Sequence, residues 1–302
     1  MVGVTFVVPV YNKAKYLKYV LKSIEKQQGE FEREYIFIND GSTDDSYEIL
    51  KQNTKKWRNC RIFSQKNLGS ANATNKGIFE ASKEFIKFLD ADDVLVETAT
   101  YSLLKLIRKS NQTVLAYGLQ KKIKKISQAQ LDSFIDLSKI KIINNPVNLA
   151  IRNSMFNPSQ FLVKTETCKK VGGCDERIKH SQEYSLTLKL SLEGSFIKLL
   201  QNVTILPVKA PGQISENKVQ QIYRVSRALE LFLKDNSNLD KNIRKIAFRR
   251  LTGRAWRFAK RHYGDTIYSR WFGLYLKGLF GYTKNLISDC EEANSVYLRN
   301  IN

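Results

Sequence analysis

Three carboxylates fall within four residues, Asp90, Asp92 and Asp93, directly after the run Phe85-Ile86-Lys87-Phe88-Leu89. That run alternates and then turns apolar, which predicts a strand entering a covered sheet. Ligands sit at the carboxyl ends of strands in open α/β sheets. Acids there suit a hard cation, and a hard cation suits phosphate oxygens. The competing reading is a helix start, with Asp92 or Asp93 as N-cap of a helix over 97–107, favoured by the helix dipole. A second acidic turn, Asn39-Asp40-Gly41-Ser42-Thr43-Asp44, closes the apolar run Tyr35-Ile36-Phe37-Ile38. Two acids, Asp40 and Asp90 or Asp92, at the ends of different strands of one sheet favour a shared cleft over unrelated caps. The chain contains neither G-x-G-x-x-G nor G-x-x-x-x-G-K-[ST], so it does not hold a nucleotide as dehydrogenases or P-loop enzymes do.

The elements that must position these acids follow from the pattern. Residues 4–10 read as a buried strand. Residues 14–28 read as an amphipathic helix with Tyr16, Leu17, Val20, Leu21 and Ile24 on one face. Ser42 or Thr43 is expected to cap a helix through Leu50. Residues 60–64 form a third strand. Asn67-Leu68-Gly69 opens a helix over 70–81, whose Ala71, Ala73 and Gly77 allow close approach to a ligand or to the sheet. This alternation predicts βαβ units and a parallel sheet. Further on, 114–119 and 160–164 read as strands, 121–125 as a solvated basic edge, and 134–143 as strand or loop. Phe156-Asn157-Pro158-Ser159 reads as a turn. A helix over 166–171 ends at Gly172-Gly173. Residues 181–193 carry alternating leucines that would also suit a strand; the stop at Gly194 favours helix. Residues 196–208 read as a strand, and Pro211-Gly212 as a turn.

Of 302 residues, 42% are hydrophobic, enough for a globular core, and 50 Lys and Arg against 29 Asp and Glu give a formal charge of +21. That excess favours anionic partners. The charge is spread along the chain and no nucleic-acid-binding module is present, so nucleic acid is not the expected partner. The four cysteines lack a C-x-x-C pair, which fits a reducing cytosol rather than a zinc site or disulfide framework. No signal peptide or spanning helix is expected. From Lys218 the texture becomes helical, basic and aromatic. Residues 244–282 therefore fit an interfacial segment touching an anionic membrane, or a helical tail packing back on the protein or on a second copy.

Four motifs, in this order and at this spacing, resemble glycosyltransferase family 2. They are Val7-Val8-Pro9-Val10-Tyr11-Asn12, Asn39-Asp40-Gly41-Ser42-Thr43-Asp44, Asn67-Leu68-Gly69 leading to Asn75-Lys76-Gly77-Ile78, and Phe88-Leu89-Asp90-Ala91-Asp92-Asp93. The match is strong over 4–96 and looser over 150–217. The resemblance implies an inverting enzyme with the α/β GT-A fold, a Rossmann-like, mostly parallel central sheet with flanking helices, here with a C-terminal helical extension. It implies a nucleotide-sugar-binding half (1–96) and an acceptor-binding half (97–217) of one domain, followed by 218–302. Pro9, Val10 and Tyr11 would line the base pocket and Asp40 would contact the nucleoside. Asn67, Gly69, Asn75, Asp90 and Ala91 complete the implied nucleotide-sugar site.

Asp90 and Asp92 resemble the D-x-D motif, the first near the ribose, the second on Mg²⁺ or Mn²⁺ bridging the diphosphate. Gly172-Gly173-Cys174-Asp175-Glu176 matches the family's turn before its E-D pair, and Gln182-Glu183-Tyr184 stands where that pair belongs. The implied general base is Glu183, one methylene longer than the usual Asp, with Gln182 lacking the first charge. Thr74 stands where the family often has Arg. The plainer readings make Glu183 a surface acid, Asp175 and Glu176 turn residues, and His180 a solvent or capping residue. Pro211-Gly212-Gln213-Ile214-Ser215 resembles a loop that can close over the donor. The implied function is transfer of a sugar from a nucleotide sugar, a UDP-sugar first, to a glycan or lipid-linked acceptor of the cell envelope. The implied location is cytoplasmic, at the inner face of the membrane if the tail touches it. The alternatives are a GT-A-like nucleotide-sugar-binding protein without turnover and, less favoured, a basic nucleic-acid-binding protein. The oligomeric state stays open.

Overall fold

The structure, a computed structural model, describes residues 1–131, 134–152, 154–178, 182–207 and 218–298. The first elements are β1 (Gly3–Val10), α1 (Ala14–Glu25), β2 (Glu32–Asp40), α2 (Ser46–Thr54), β3 (Cys60–Gln65), α3 (Ser70–Glu80) and β4 (Phe85–Phe88). Each helix is a crossover between parallel strands. β1 lies between β2 and β4, with Val10 beside Asn39 and Val7 beside Phe88, and β3 pairs with β2. The chain builds outward from β1 to β3 and then returns to the other side of β1. That reversal opens a crevice at the strands' carboxyl ends.

The next elements are β5 (Val94–Leu95), α4 (Ala99–Ile107), β6 (Thr113–Ile123), β7 (Ile140–Ile143), α5 (Val147–Arg152), a 3-10 turn (Pro158–Gln160), β8 (Phe161–Lys164), α6 (Thr165–Lys170), α7 (Gln182–Leu190) and β9 (Ser195–Pro207). The sheet runs β3-β2-β1-β4-β8-β6-β9-β5, with β7 beside β9. Its β3-to-β4 half is parallel. β8 then enters antiparallel between β4 and β6, while β6 and β9 run parallel. Four helices finish the chain: α8 (Lys218–Asp235), α9 (Lys241–Tyr263), α10 (Arg270–Phe280) and α11 (Leu286–Ser295).

Several expectations are corrected. Asp92 and Asp93 do not cap a helix over 97–107: β5 follows them, and α4 begins at Ala99 behind Thr98. Neither Ser42 nor Thr43 caps α2. Asp44 accepts from the backbone N–H of Ser46 (3.0 Å) and of Ala14 (3.0 Å), tying the starts of α1 and α2 together. Within 134–143 the strand covers only Ile140–Ile143. The turn at Pro211-Gly212 lies outside the described residues.

Hydrophobic burial explains the layers. Phe6, Val8 and Val10 of β1 pack with Leu17, Val20 and Ile24 of α1, while Val7 faces Ile78 and Ala73 of α3. Both faces of the strand are covered, so its sequence is apolar throughout. α7 is likewise buried on two sides. Leu186 and Leu190 join the sheet's core, and Tyr184 and Leu188 join the core beneath α8 and α9. Leucines at every second position thus occupy a helix. In α10, Trp271 and Leu274 are buried against Ala255, Phe258 and Ala259 of α9. Ile267, Tyr268, Phe280 and Tyr282, on α10 and its flanks, face outward. Among the described residues, no helix is long and apolar enough to cross a membrane.

The small residues of α3 serve the sheet. A Cβ at Gly77 would lie 2.2 Å from Val7 Cγ1 and 3.1 Å from Ile38 Cδ1. Gly77→Val therefore overpacks the β1–β2–α3 contact, and we expect it to cost about 1–3 kcal/mol. Urea unfolding checks this: the midpoint falls while the slope is retained. An unchanged midpoint would show that α3 has room to move.

Candidate active site

Three loops meet at the carboxyl edge of β2, β1 and β4. Asn12 (φ 51°) accepts from Thr43 N (2.8 Å) and donates its own N–H to Ser42 Oγ (3.1 Å), joining the loop after β1 to the loop after β2. Pro9 and Val10 end β1 beneath this junction, and Tyr11 stands 44% exposed above it. Asp40 is buried. Its Oδ1 accepts from Leu68 N (3.0 Å) and Gln65 Nε2 (2.9 Å), and its Oδ2 from Gly69 N (3.0 Å). Gly69 takes φ 93°, and Gly41 (φ 73°) lets the Asn67 backbone pass where a Cβ would meet it at 2.8 Å. The fold thus brings Asp40, Asn67 and Gly69 together. A carboxylate offers about four lone-pair sites, so Asp40 Oδ2 keeps one for a ligand.

The acidic cluster lies after β4, two strand spacings from β2, or about 10 Å. The Asp90 N–H donates to Ser159 Oγ (3.0 Å), whose hydroxyl donates to Asp93 Oδ2 (2.5 Å). Fully buried Lys87 donates to the carbonyls of Ser159 (2.5 Å), Phe88 (3.0 Å) and Phe161 (3.3 Å). Ala91 is buried between the acids. Lys13, at the start of α1, forms an ion pair with Asp92 across the crevice.

Electrostatics bind these groups into one unit. Burial first, then the charges of Asp92 and Glu183, pushes the Asp90 carboxyl up to about 7, against the pull of Lys13 and Lys87. Burial, Asp90 and Asp92 raise Asp93 well above the usual carboxylate range, with the Ser159 hydrogen bond opposing. Burial brings Lys87 down to about 7, opposed by Asp93 and Asp90. Burial also pushes Glu183, in the first turn of α7, up to about 7. Glu183 thus lies within repulsive range of Asp90, and its carboxyl is crowded by protein atoms.

Other expected residues stand apart. Asn75 accepts from Cys174 N (2.7 Å) and donates to Cys174 O (3.0 Å) and Glu176 Oε1 (2.7 Å). Its polar atoms support the turn before α7. Gly173 (φ 64°) makes that contact possible, because a Cβ there would lie 2.3 Å from Asn75 Oδ1. Asn72 donates to the other Glu176 oxygen (2.8 Å) and accepts from Gln65, which also reaches Asp40. Asp175 is paired with Arg177, which also grips Asp235 of α8. Thr74 is buried within α3. His180, the Gln182 side chain and 211–215 lie outside the described residues. Sequence reading missed Ser159, Lys87 and Lys13. Ser159 lay in a recognised turn, but nothing local marked it as the partner of Asp90 and Asp93.

Among the described residues, no three His, Cys, Asp or Glu side chains are grouped to enclose a metal. Mg²⁺ needs only one or two protein carboxylates when phosphate and water complete its shell. Asp92 already holds a cation, the Lys13 ammonium, so its surroundings suit positive charge. The donor set fits a divalent ion carried in with a diphosphate.

Residues 5–172 match the family described as glycosyl transferase family 2. The chain is 29% identical over 195 residues, 64% of its length, to the teichoic acid poly(glycerol phosphate) polymerase of Staphylococcus epidermidis, of which it covers 25%. It is 37% identical over 108 residues, 36% of its length, to an uncharacterized glycosyltransferase of Rickettsia bellii, of which it covers 15%. The chain thus spans a quarter or less of these curated relatives. Its fold is similar to that of S. aureus TarS 1-349 in complex with UDP-GlcNAc (TM-score 0.69, 16% identity, 98% of this chain and 92% of that one). It is also similar to a Pyrobaculum calidifontis mannosyltransferase in complex with GDP-Man and Mn²⁺ (TM-score 0.60, 14% identity, 98% and 84%).

Ser159→Ala leaves the Asp90 N–H without its acceptor and Asp93 without its donor. We expect a loss of about 1–3 kcal/mol in stability, and weaker Mn²⁺-dependent nucleotide binding as the Asp90–Asp93 turn loosens. Calorimetric titration with UDP and Mn²⁺, beside denaturant unfolding, reads both; an unchanged pair of values would remove Ser159 from the site.

Proposed function

The chain belongs to glycosyltransferase family 2, and from that membership we propose an inverting, metal-dependent transfer from a nucleotide sugar to an acceptor hydroxyl. The observation that supports this reading most is that Glu183, in the first turn of α7, lies within electrostatic reach of Asp90, at the tip of β4. An inverting transfer needs a base on the acceptor side facing a leaving group held on the other. Residues 1–96 would hold the donor and 97–217 the acceptor.

Each residue has a role in this reading. The remaining lone pair of Asp40 Oδ2 accepts an N–H of the base, and Pro9, Val10 and Tyr11 flank it. The backbone N–H groups of Leu68 and Gly69 keep Asp40 in place, with Asn67 beside them in the loop before α3. Asp90 and Ala91 face the ribose, and Asp92 would hold Mg²⁺ or Mn²⁺. When bound, that ion supplies counter-charge to the nucleoside diphosphate as it leaves. Glu183 takes the proton of the acceptor hydroxyl, and its elevated affinity for a proton suits a base working near neutral pH. Asn75 acts indirectly, by fixing the turn that leads into α7.

UDP and UDP-GlcNAc in the TarS structures favour a UDP-sugar donor. The teichoic acid polymerase among the relatives favours an envelope glycan or its lipid-linked precursor as acceptor. The outward side of α10 favours a place on an anionic membrane, from the cytoplasmic face. Tyr268 is 92% exposed and Phe280 72%, with Arg270, Lys260, Arg261 and Lys284 nearby in sequence. Aromatic side chains among basic ones suit the headgroup layer.

Glu183→Gln is expected to lower kcat by about 10²–10⁴-fold, with nucleotide binding kept. Wild-type turnover with Glu183→Gln equally active would remove Glu183; nucleotide binding without any wild-type turnover would favour a binding protein. The base works only when ionised, and its carboxyl sits at about 7, so kcat/KM should fall as pH drops through that value. A rate that stays flat down to pH 5, about two units lower, would contradict the assignment. Vesicle flotation tests the tail. Binding to anionic but not neutral vesicles, lost in Phe280→Ser with Tyr268→Ser, is expected; equal binding to both, or none, counts against it.

A further inference from the structure

α9 carries Arg250, Arg254 and Arg257 at i, i+4 and i+7, one stripe of the helix. Among the described residues, none of the three lies within ion-pair distance of a carboxylate. Arg250 Nε and Arg254 Nη1 are buried without a hydrogen-bond partner, while Arg254 also reaches the Tyr184 hydroxyl and Arg257 is exposed. Arg250 and Arg254 act electrostatically on both Tyr184 and Tyr297, and Arg257 acts on Tyr297. Burial, with Arg254 and Arg257 beside it, pulls Arg250 below the usual guanidinium range.

Such an arrangement is costly in isolation. A buried donor left unpaired forfeits its hydration, and three like charges on one helix face repel. Some other charges of this region are matched: Arg227 with Glu230, Arg177 with Asp175 and Asp235, and Lys277 with Asp289. What sets the stripe apart is that Arg250 and Arg254 keep buried donor atoms without a partner. Guanidinium groups offer planar forks that fit phosphate oxygens.

The position decides which phosphate. Tyr184 follows Glu183 directly on α7, so their Cα atoms are about 3.8 Å apart. Glu183 lies within electrostatic reach of Asp90, while the Tyr184 ring is buried on the α9 side, its hydroxyl bonded to Ile151 O (3.2 Å). The arginines thus lie on the side of α7 that Tyr184 faces, about 100° around the helix from Glu183, a different side from the Asp90 and Asp92 loop proposed to hold the donor's diphosphate. We propose that Arg250, Arg254 and Arg257 form a binding site for a phosphate group of the acceptor, which is therefore a phosphate ester and not a neutral saccharide. The word acceptor rests on the transferase reading; the phosphate site itself does not.

The probe is sn-glycerol 3-phosphate, titrated at fixed ionic strength in EDTA, so that metal-dependent binding at the donor site is silent. Saturable binding by the full chain is expected. It should weaken about tenfold or more in each of Arg250→Gln and Arg254→Gln, recover in part in Arg254→Lys, and stay unchanged in Asp92→Asn. UDP binding with Mn²⁺ shows that the arginine variants are folded. No saturable binding by the wild type, equal binding in the arginine variants, or loss in Asp92→Asn overturns the site. Should the variants fail to fold, tungstate soaked into wild-type crystals decides: anomalous density among the three guanidinium groups supports the site, and its absence there refutes it. In transfer assays, the arginine variants should raise KM for an oligo(glycerol phosphate) or for a short-chain prenyl diphosphate sugar, whichever is the source, and not for an uncharged saccharide. Arginine-dependent phosphate binding with no transfer by the wild type would retain the site and remove the transferase reading.

Discussion

Asp93 is buried and Asp90 and Glu183 are half-buried, with Asp90 close enough to repel both of the others, and the surrounding chain is arranged to offset that cost. Part of the compensation is protonation, which burial favours for all three. Part is the Lys87 ammonium beneath the loop, and part is the Ser159 hydroxyl between Asp90 and Asp93. Asp92 meets Lys13 instead. In the proposed reading, an incoming divalent cation would let these acids ionise together.

The same contacts join the two halves of the sheet. Lys87 belongs to β4, the last strand of the parallel half, and its carbonyl partners Ser159 and Phe161 introduce β8, where the sheet changes direction. The seam between the halves and the floor of the site are therefore one structure. A second connection runs from Asp40 through Gln65 and Asn72 to Glu176, and Asn75 braces the same turn. That turn leads toward α7, whose first turn carries Glu183. α7 in turn is clamped between the sheet and the C-terminal helices, so α8 and α9 help to hold Glu183 in position.

Strand tips were the legible part of this site. Apolar runs ending in acids placed Asp40 at the tip of β2 and Asp90 and Asp92 at the tip of β4, on either side of β1, because parallel β1, β2 and β4 bury both faces and read as continuous hydrophobic stretches. What local pattern hid was set by tertiary contact. Lys87 occupies a position where alternation allows any polar residue, and only the approach of β8 makes it a buried clamp. Ser159 lies 66 residues from Asp93 in the chain, beyond any local spacing rule. Asn75 resembled a ligand residue, yet its amide is committed to a turn 99 residues away. The 268–282 segment offered two readings, membrane face or packed tail, because the helix has one face of each kind: Trp271 and Leu274 inward, Phe280 outward.

In the proposed site, acids from two strand tips hold one sugar nucleotide: Asp40 of β2 at its base, and Asp92 after β4 through a divalent ion on its diphosphate. Crystals grown with UDP and Mn²⁺, measured at the manganese absorption edge, test it directly. The account predicts one strong anomalous peak in contact with Asp92 and the diphosphate, with Lys13 displaced from its ion pair and the base of the nucleotide over Asp40. A manganese peak away from Asp92, or a nucleotide bound elsewhere on the molecule, would contradict it.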